Sequence, residues 1–208
     1  MYCTEVMQSE HDNILLFLDV VRAMCCHVLE TKEVDTGDFR KVIEFARNYS
    51  DHQHHGKEEK FLFNEMEARL GAMGQNLIRH GMLVEHDLCR GHILDLEAAL
   101  DLYDAHPDKT VYVLDILEAA EGYATLLTRH IKKENTVVYP FAERSLPAEV
   151  VSEINRKVED FEKETEKQGI QQHYLALRDE LKAKYGTVED QHDLAAAAPL
   201  PAGLHKKA

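Results

Sequence analysis

The chain has 208 residues, of which 44% are hydrophobic, and a formal net charge of −14. That length can bury one well-formed core, and that charge excludes nucleic acid or an anionic membrane surface as the main partner, because both would repel it. No apolar run approaches the roughly 20 residues of a membrane span, and Met1 is followed by a polar, acidic start rather than a signal peptide, so a cytoplasmic protein is expected.

Apolar residues recur at helical spacing almost throughout, and no long stretch alternates like a strand, so the fold class is all-α. A first helix is predicted over about residues 4–31, with Ile14, Leu15, Leu18, Val21, Cys25 and Val28 on a stripe shared with His11. A second follows the break at Thr36, Gly37 and Asp38 and aligns Phe39, Ile43, Ala46 and Phe61 with His54 and Glu58. The third, about 76–104, aligns Met82, His86, Cys89, Ile93, Leu96 and Leu100. The fourth starts after His106, Pro107 and Asp108 and aligns Ile116, Ala120, Tyr123, Leu127, His130, Glu134, Val137 and Phe141, with Pro140 marking its last turn or a kink.

Short connections between four long helices predict an antiparallel up-down-up-down four-helix bundle over residues 1–146, with metal-site side chains turned inward. An additional C-terminal helical segment is predicted over 147–186, dense in charge but with a thin apolar seam, which either packs along the bundle or pairs with another chain. Gly169 is a candidate break within it. Residues 187–208 lose periodicity and read as a disordered tail. The cysteines Cys3, Cys25, Cys26 and Cys89 show no CxxC spacing and are read as reduced thiols, with Cys25 and Cys26 as small buried residues.

The chemistry lies in a pattern written twice. EHD with His11 precedes HxxxE with His54 and Glu58; EHD with His86 precedes HxxxE with His130 and Glu134, each copy displaced by 75 or 76 residues. In HxxxE the two side chains project from one helical face, one turn apart. Imidazole suits iron, zinc, copper or nickel, and a carboxylate can bridge two ions with its two oxygens. The predicted metal ligands are therefore His11, His54, Glu58, His86, His130 and Glu134, with His11 and His54 serving one ion, His86 and His130 the other, and both glutamates bridging. The bland alternative is an ion-pair network in which Lys57, Lys132 or Lys133 neutralises the carboxylates at the surface. The run DHQHHGKEEKFLF also offers His55 and Glu59 as a second HxxxE register. Matching FLF to VVY at 137–139 favours His54 and Glu58, leaves His52 and His55 as outer or exposed groups, and predicts that Glu59→Ala spares metal loading.

The order H…HxxxE…H…HxxxE, with HHGKEEKFLF and HIKKENTVVYP around it, resembles the hemerythrin-like (HHE cation-binding) family over about residues 5–145. The resemblance implies a four-helix bundle with two iron ions in a non-heme centre, bridged by oxygen. Its members carry or sense dioxygen, decompose peroxide, bind nitric oxide, or supply iron to damaged clusters. The oxygen-carrying branch has a further histidine four residues after the one on the third helix, and here that position is Arg90; its last carboxylate is an aspartate where this chain has Glu134. An absent fifth histidine implies an open metal position and favours reaction over plain carriage.

Three further residues are candidates for lining the pocket: Tyr123, Cys89 and His92. The expected function is a diiron protein that binds and reacts with dioxygen, peroxide or nitric oxide. If it is an enzyme, it is a peroxide- or oxygen-reducing oxidoreductase. The alternatives are an oxygen or iron sensor, or a protein that stores or donates iron. A homodimer or a protein partner through the C-terminal helix is possible on this reading.

Overall fold

A computed structural model describes residues 1–188, and these contain helices and no strand. Most of the predicted tail, from residue 189 on, lies outside the described residues. Helix α1 runs Tyr2–Thr31 and ends on Lys32 in the left-handed region. The second passage is one long helical run of mixed winding: α2 Thr36–Phe45, π1 Ala46–His55 and π2 Glu58–Phe63, continued by α3 Asn64–Arg69. After α4 Gly71–Leu77 and π3 Ile78–Met82 come α5 Leu83–Ala105 and α6 Thr110–Lys133, then π4 Glu134–Val138 and, continuous with it, α7 Tyr139–Ser145, with Pro140 at the junction where the winding changes. No helix among the described residues is long and apolar enough to cross a membrane.

The apolar stripes close into two clusters. One gathers Ile14, Phe17, Phe45, Tyr49, Leu96, Ile116 and Leu127, with the Phe17 and Phe45 rings stacked 3.8 Å apart. The other gathers Met7, Leu62, Phe63, Met66, Met82, Val138 and Tyr139. Each long passage goes from one cluster to the other, and the direction alternates along the chain: α1 leaves the second for the first, and the passage through π1 and π2 returns. The predicted ligands fall at the crossing on all four passages. A polar layer is thereby sealed between two apolar ones.

The π segments change the phase predicted for the second passage. Bonding from i to i+5 inserts an extra residue per turn relative to α. Phe61, expected on the inward stripe, is only half-buried, while Leu62, Phe63 and Met66 take the interior positions. Cys25 is buried as expected, but Cys26 is exposed, because adjacent α-helical residues point about 100° apart.

The C-terminal segment folds back onto the bundle. Helix α8 Ala148–Lys167 and helix α9 Ile170–Tyr185 are separated at Gly169, whose φ of 69° suits a residue without Cβ. Val150, Ile154 and Val158 of α8 join the second cluster, and Leu177 and Leu181 of α9 join the first. Asp38 at the start of α2 ties down the end of α9 by accepting hydrogen bonds from Lys184 and Tyr185.

Candidate metal centre

Five imidazoles and two carboxylates meet in the polar layer. His11, His54, Glu58, His86, His130 and Glu134 are each fully buried, and His55 is 2% exposed. They form two groups of converging ligand atoms: His55, Glu58, His86 and His130 in one, and His11, His54, Glu58 and Glu134 in the other. Glu58 belongs to both. Glu134 also reaches across, with Oε1 2.9 Å from His130 Nε2 and Oε2 3.2 Å from His11 Nε2.

Every one of the five rings is held at Nδ1, which leaves Nε2 facing inward. His54 donates to Glu10 Oε2 at 2.9 Å and His130 to Glu85 Oε2 at 2.9 Å. His86 donates to Glu59 Oε1 at 2.7 Å, His11 to Asn135 Oδ1 at 2.8 Å, and His55 to Asp51 Oδ1 at 3.3 Å. Such partners fix the tautomer with the lone pair on Nε2 and raise its basicity, as metal-binding histidines require. The repeat therefore extends beyond the ligands. The glutamate of each EHD orients the first histidine of the next HxxxE, and the residue after each HxxxE, Glu59 or Asn135, orients the histidine of the other half.

The inward atoms are poorly satisfied by protein alone. His54 Nε2, His55 Nε2, Glu58 Oε2 and both oxygens of Glu134 are buried without a hydrogen bond, and His86 Nε2 and His130 Nε2 point at each other 3.0 Å apart. Buried carboxylates cost several kcal/mol each when uncompensated, so this donor set fits cations. Without them, protons take the role. Burial works against charging His11, His86 and His130, but Glu134, Glu58 and the orienting carboxylates outweigh it, raising His11, lifting His130 to about 9 and His86 well above the usual imidazole range. Burial dominates for His54, held well below that range, and for His55, lowered to about 3 by burial and the neighbouring His86. Burial opposes the ionisation of Glu134, yet His130, His11 and His86 drive it well below the carboxylate range.

Three sequence readings change here. His55 is not an outer group: its ring stacks on His86 at 3.8 Å and its Nε2 converges with His86 and His130. The π winding of Ala46–His55 lets the consecutive His54 and His55 both face the layer, each toward a different ligand group. The signal available in sequence was the HH doublet with Asp51 four residues before His55. The inference from Arg90 that a fifth imidazole is absent therefore falls, because a different helix supplies it. Arg90 instead binds Asp51 at 2.7 Å and Glu59 at 2.7 Å, bracing the carboxylates that orient His55 and His86. Glu59 thus orients His86, and its loss is expected to weaken loading rather than spare it. His52 is exposed.

Nor do Lys57 and Lys133 act as the surface-pair alternative supposes. Lys57 and Lys133 bind the orienting Glu10 and Glu85, not Glu58 or Glu134.

Cys89 and Tyr123 line a cavity of about 170 Å³ beside His55, together with Ala46, Asp51, Arg90 and Ile93. Burial pushes the Cys89 thiol up to about 12, which keeps it protonated and unreactive. His92 is not among the residues lining that cavity; it packs on α6, where a Cβ on Gly122 would come within 2.5 Å of its ring. The residue that sequence reasoning missed on the other side is Tyr139. Its hydroxyl donates to Glu58 Oε1 at 2.6 Å and lies 3.4 Å from His11 Nε2, with its ring parallel to that of His11.

A sequence profile of the Hemerythrin HHE cation binding domain matches residues 4–142, which include every residue of both ligand groups. The chain belongs to this family. Hemerythrin HHE domains bind metal cations, and the two buried His/Glu groups are where this member could hold them. No curated protein and no solved structure matches the chain.

Proposed function

We propose that residues 1–146 form an up-down-up-down four-helix unit holding two iron ions, extended by the helical segment 147–186, and that this cytoplasmic protein binds and reduces a small oxidant such as peroxide or dioxygen. The alternating direction in which the passages join the two apolar clusters supports the topology. The observation that carries the metal reading is the set of five imidazoles, each anchored at Nδ1, with Nε2 converging on Glu58 and Glu134.

His55, His86 and His130 with Glu58 would hold one ion; His11 and His54 with the two glutamates would hold the other. When bound, the iron pair supplies one-electron redox chemistry toward a small diatomic or peroxide ligand. The protein side of that chemistry is uneven. The three-histidine group faces the phenyl ring of Phe63, 5.8 Å from the His86 ring. The two-histidine group, with one imidazole fewer, faces the phenol of Tyr139. Burial and the adjacent glutamates hold the Tyr139 proton on Oη, well above the usual phenol range. That hydroxyl can donate a hydrogen bond to a ligand seated beside His11, while the apolar layers exclude water.

Elemental analysis and absorption spectra of protein purified in air, and again without oxygen, test the metal: about two irons per chain and an oxygen-to-metal charge-transfer band are expected. Peroxide consumption tests the reaction, and Tyr139→Phe should slow it by roughly 10²-fold without changing the iron ratio. Persistence of peroxide, with bound dioxygen released on degassing, would show carriage instead.

A further inference from the structure

The family match stops at residue 142, yet a residue beyond it reaches the wall of the metal centre. Lys57 is completely buried, and its ammonium binds two carboxylates, Glu10 from α1 and Glu162 from α8. Glu10 in turn accepts the Nδ1 hydrogen of His54. A continuous chain of charged contacts therefore runs from the C-terminal segment through Glu162, Lys57 and Glu10 to one candidate ligand.

The surroundings concentrate this contact on one turn of α8. Gln53 donates to Glu162 Oε1 and to Thr165 Oγ1, both at 3.3 Å. Lys57 Nζ also lies 5.6 Å from the centre of the Phe161 ring. Phe161, Glu162 and Thr165 together close over Lys57 and Gln53. The other half carries the same inner contact, Lys133 to Glu85 and Glu85 to His130. There, however, the Lys133 side chain is 46% exposed against 0% for Lys57, and among the described residues no second carboxylate is paired with it.

We infer that α8 is a latch on the metal centre, with Glu162 as a positioning residue that makes the His11/His54 metal position bind more tightly than its ligands alone would. The physical reason is charge sharing. Lys57 divided between two carboxylates leaves Glu10 with negative charge to spend on His54 Nδ1–H, which makes His54 Nε2 a better donor. With Glu162 neutralised, Lys57 draws on Glu10 alone and competes with His54 for it. The solvated Lys133 makes a much weaker demand on Glu85, because water screens it. By linkage the coupling is reciprocal: a metal ion held by His54 must stabilise the docking of α8 as much as α8 stabilises the metal.

This inference rests on the metal-centre reading, and one experiment separates the two. The full-length chain is titrated with cobalt(II), followed by calorimetry and by its visible d–d absorption, in wild type, Glu162→Gln and Lys133→Gln. Wild type should take up two ions. Glu162→Gln, isosteric and at a partly exposed position, should weaken one of the two steps by about tenfold, the lower end for loss of an outer partner, and shift the absorption of that step alone. Lys133→Gln should leave that step within about twofold. Hydrogen exchange should show cobalt slowing α8 amides in wild type and not in Glu162→Gln. Two ions bound with both steps unchanged in Glu162→Gln, or both weakened equally, would overturn the latch while leaving the metal centre standing. Uptake of fewer than two ions by wild type would take down the metal-centre reading, and the latch with it.

Discussion

The two halves of the domain share one sequence pattern and build unequal environments from it. In both, a glutamate before the helix histidine orients the HxxxE histidine, a lysine braces that glutamate, and the residue after the HxxxE glutamate reaches across to the other half. The differences lie at a few equivalent positions. His55 stands where the second half has Ile131, Tyr139 where the first has Phe63, Lys57 is buried where Lys133 is exposed, and among the described residues α8 and α9 pack chiefly against the first half. A repeat thus fixes the ligand layer, while single substitutions within it decide how many imidazoles and which ring face each ligand group.

The largest expected effect tests what the halves share. Glu58 and Glu134 both span the two ligand groups, so Glu58→Ala and Glu134→Ala should each take the metal-to-protein ratio from near two to below one. A ratio near two surviving either change would mean that the glutamates do not bridge.

His55→Ala sharpens the first difference. It should remove one ion, or weaken it by at least tenfold, and leave the other bound, while Ile131→Ala changes stability but not stoichiometry; equilibrium titration with cobalt(II) distinguishes them. Arg90→Met should act on the same position less strongly, by roughly tenfold or below, because it frees Asp51 and Glu59 without removing a ligand. If Arg90→Met weakened both ions equally, the unequal support of the two positions would be wrong.

The smallest effect concerns the covering of the first half. Partial burial disfavours ionised Asp38, but Lys184, Lys41 and Tyr185 outweigh it and hold the carboxyl at about 2, below its ordinary 3.8. A carboxyl lowered in the folded state adds stability at pH above its unfolded value, and that contribution fades as pH falls from about 4 toward 2. Urea melts across that range should show α9 loosening with acid, and Asp38→Asn should flatten the dependence. Unchanged acid sensitivity in Asp38→Asn would place the anchor elsewhere.

How much of this was legible in sequence follows from range. His11, His54, Glu58, His86, His130 and Glu134 could be picked out because the pattern repeats and its four-residue spacing survives on a helical face. The helix start near Thr110 was legible from breaker residues, as was the break at Gly169; the second helix instead begins at Thr36, inside the Thr36–Asp38 stretch read as a break, with Asp35 as its N-cap. His55 was not, because α-helical phase turns it about 100° from His54, and nothing local announces that Ala46–His55 winds as a π-helix. Nor could the sequence show that the His92 ring packs over Gly122 of α6, a contact between two helices.

The sequence by itself determined an all-helical chain with a duplicated His/Glu layer, since periodicity and spacing are properties of single helices. Only the tertiary structure decided which carboxylate orients which imidazole, that Arg90 braces rather than leaves a gap, that Tyr139 faces His11, and that Glu162 of the last segment reaches Lys57. Apart from Asp51 and His55, four positions apart, those contacts join residues from 27 to 128 positions apart. Their geometry depends on how helices pack and wind against each other, which no local pattern encodes.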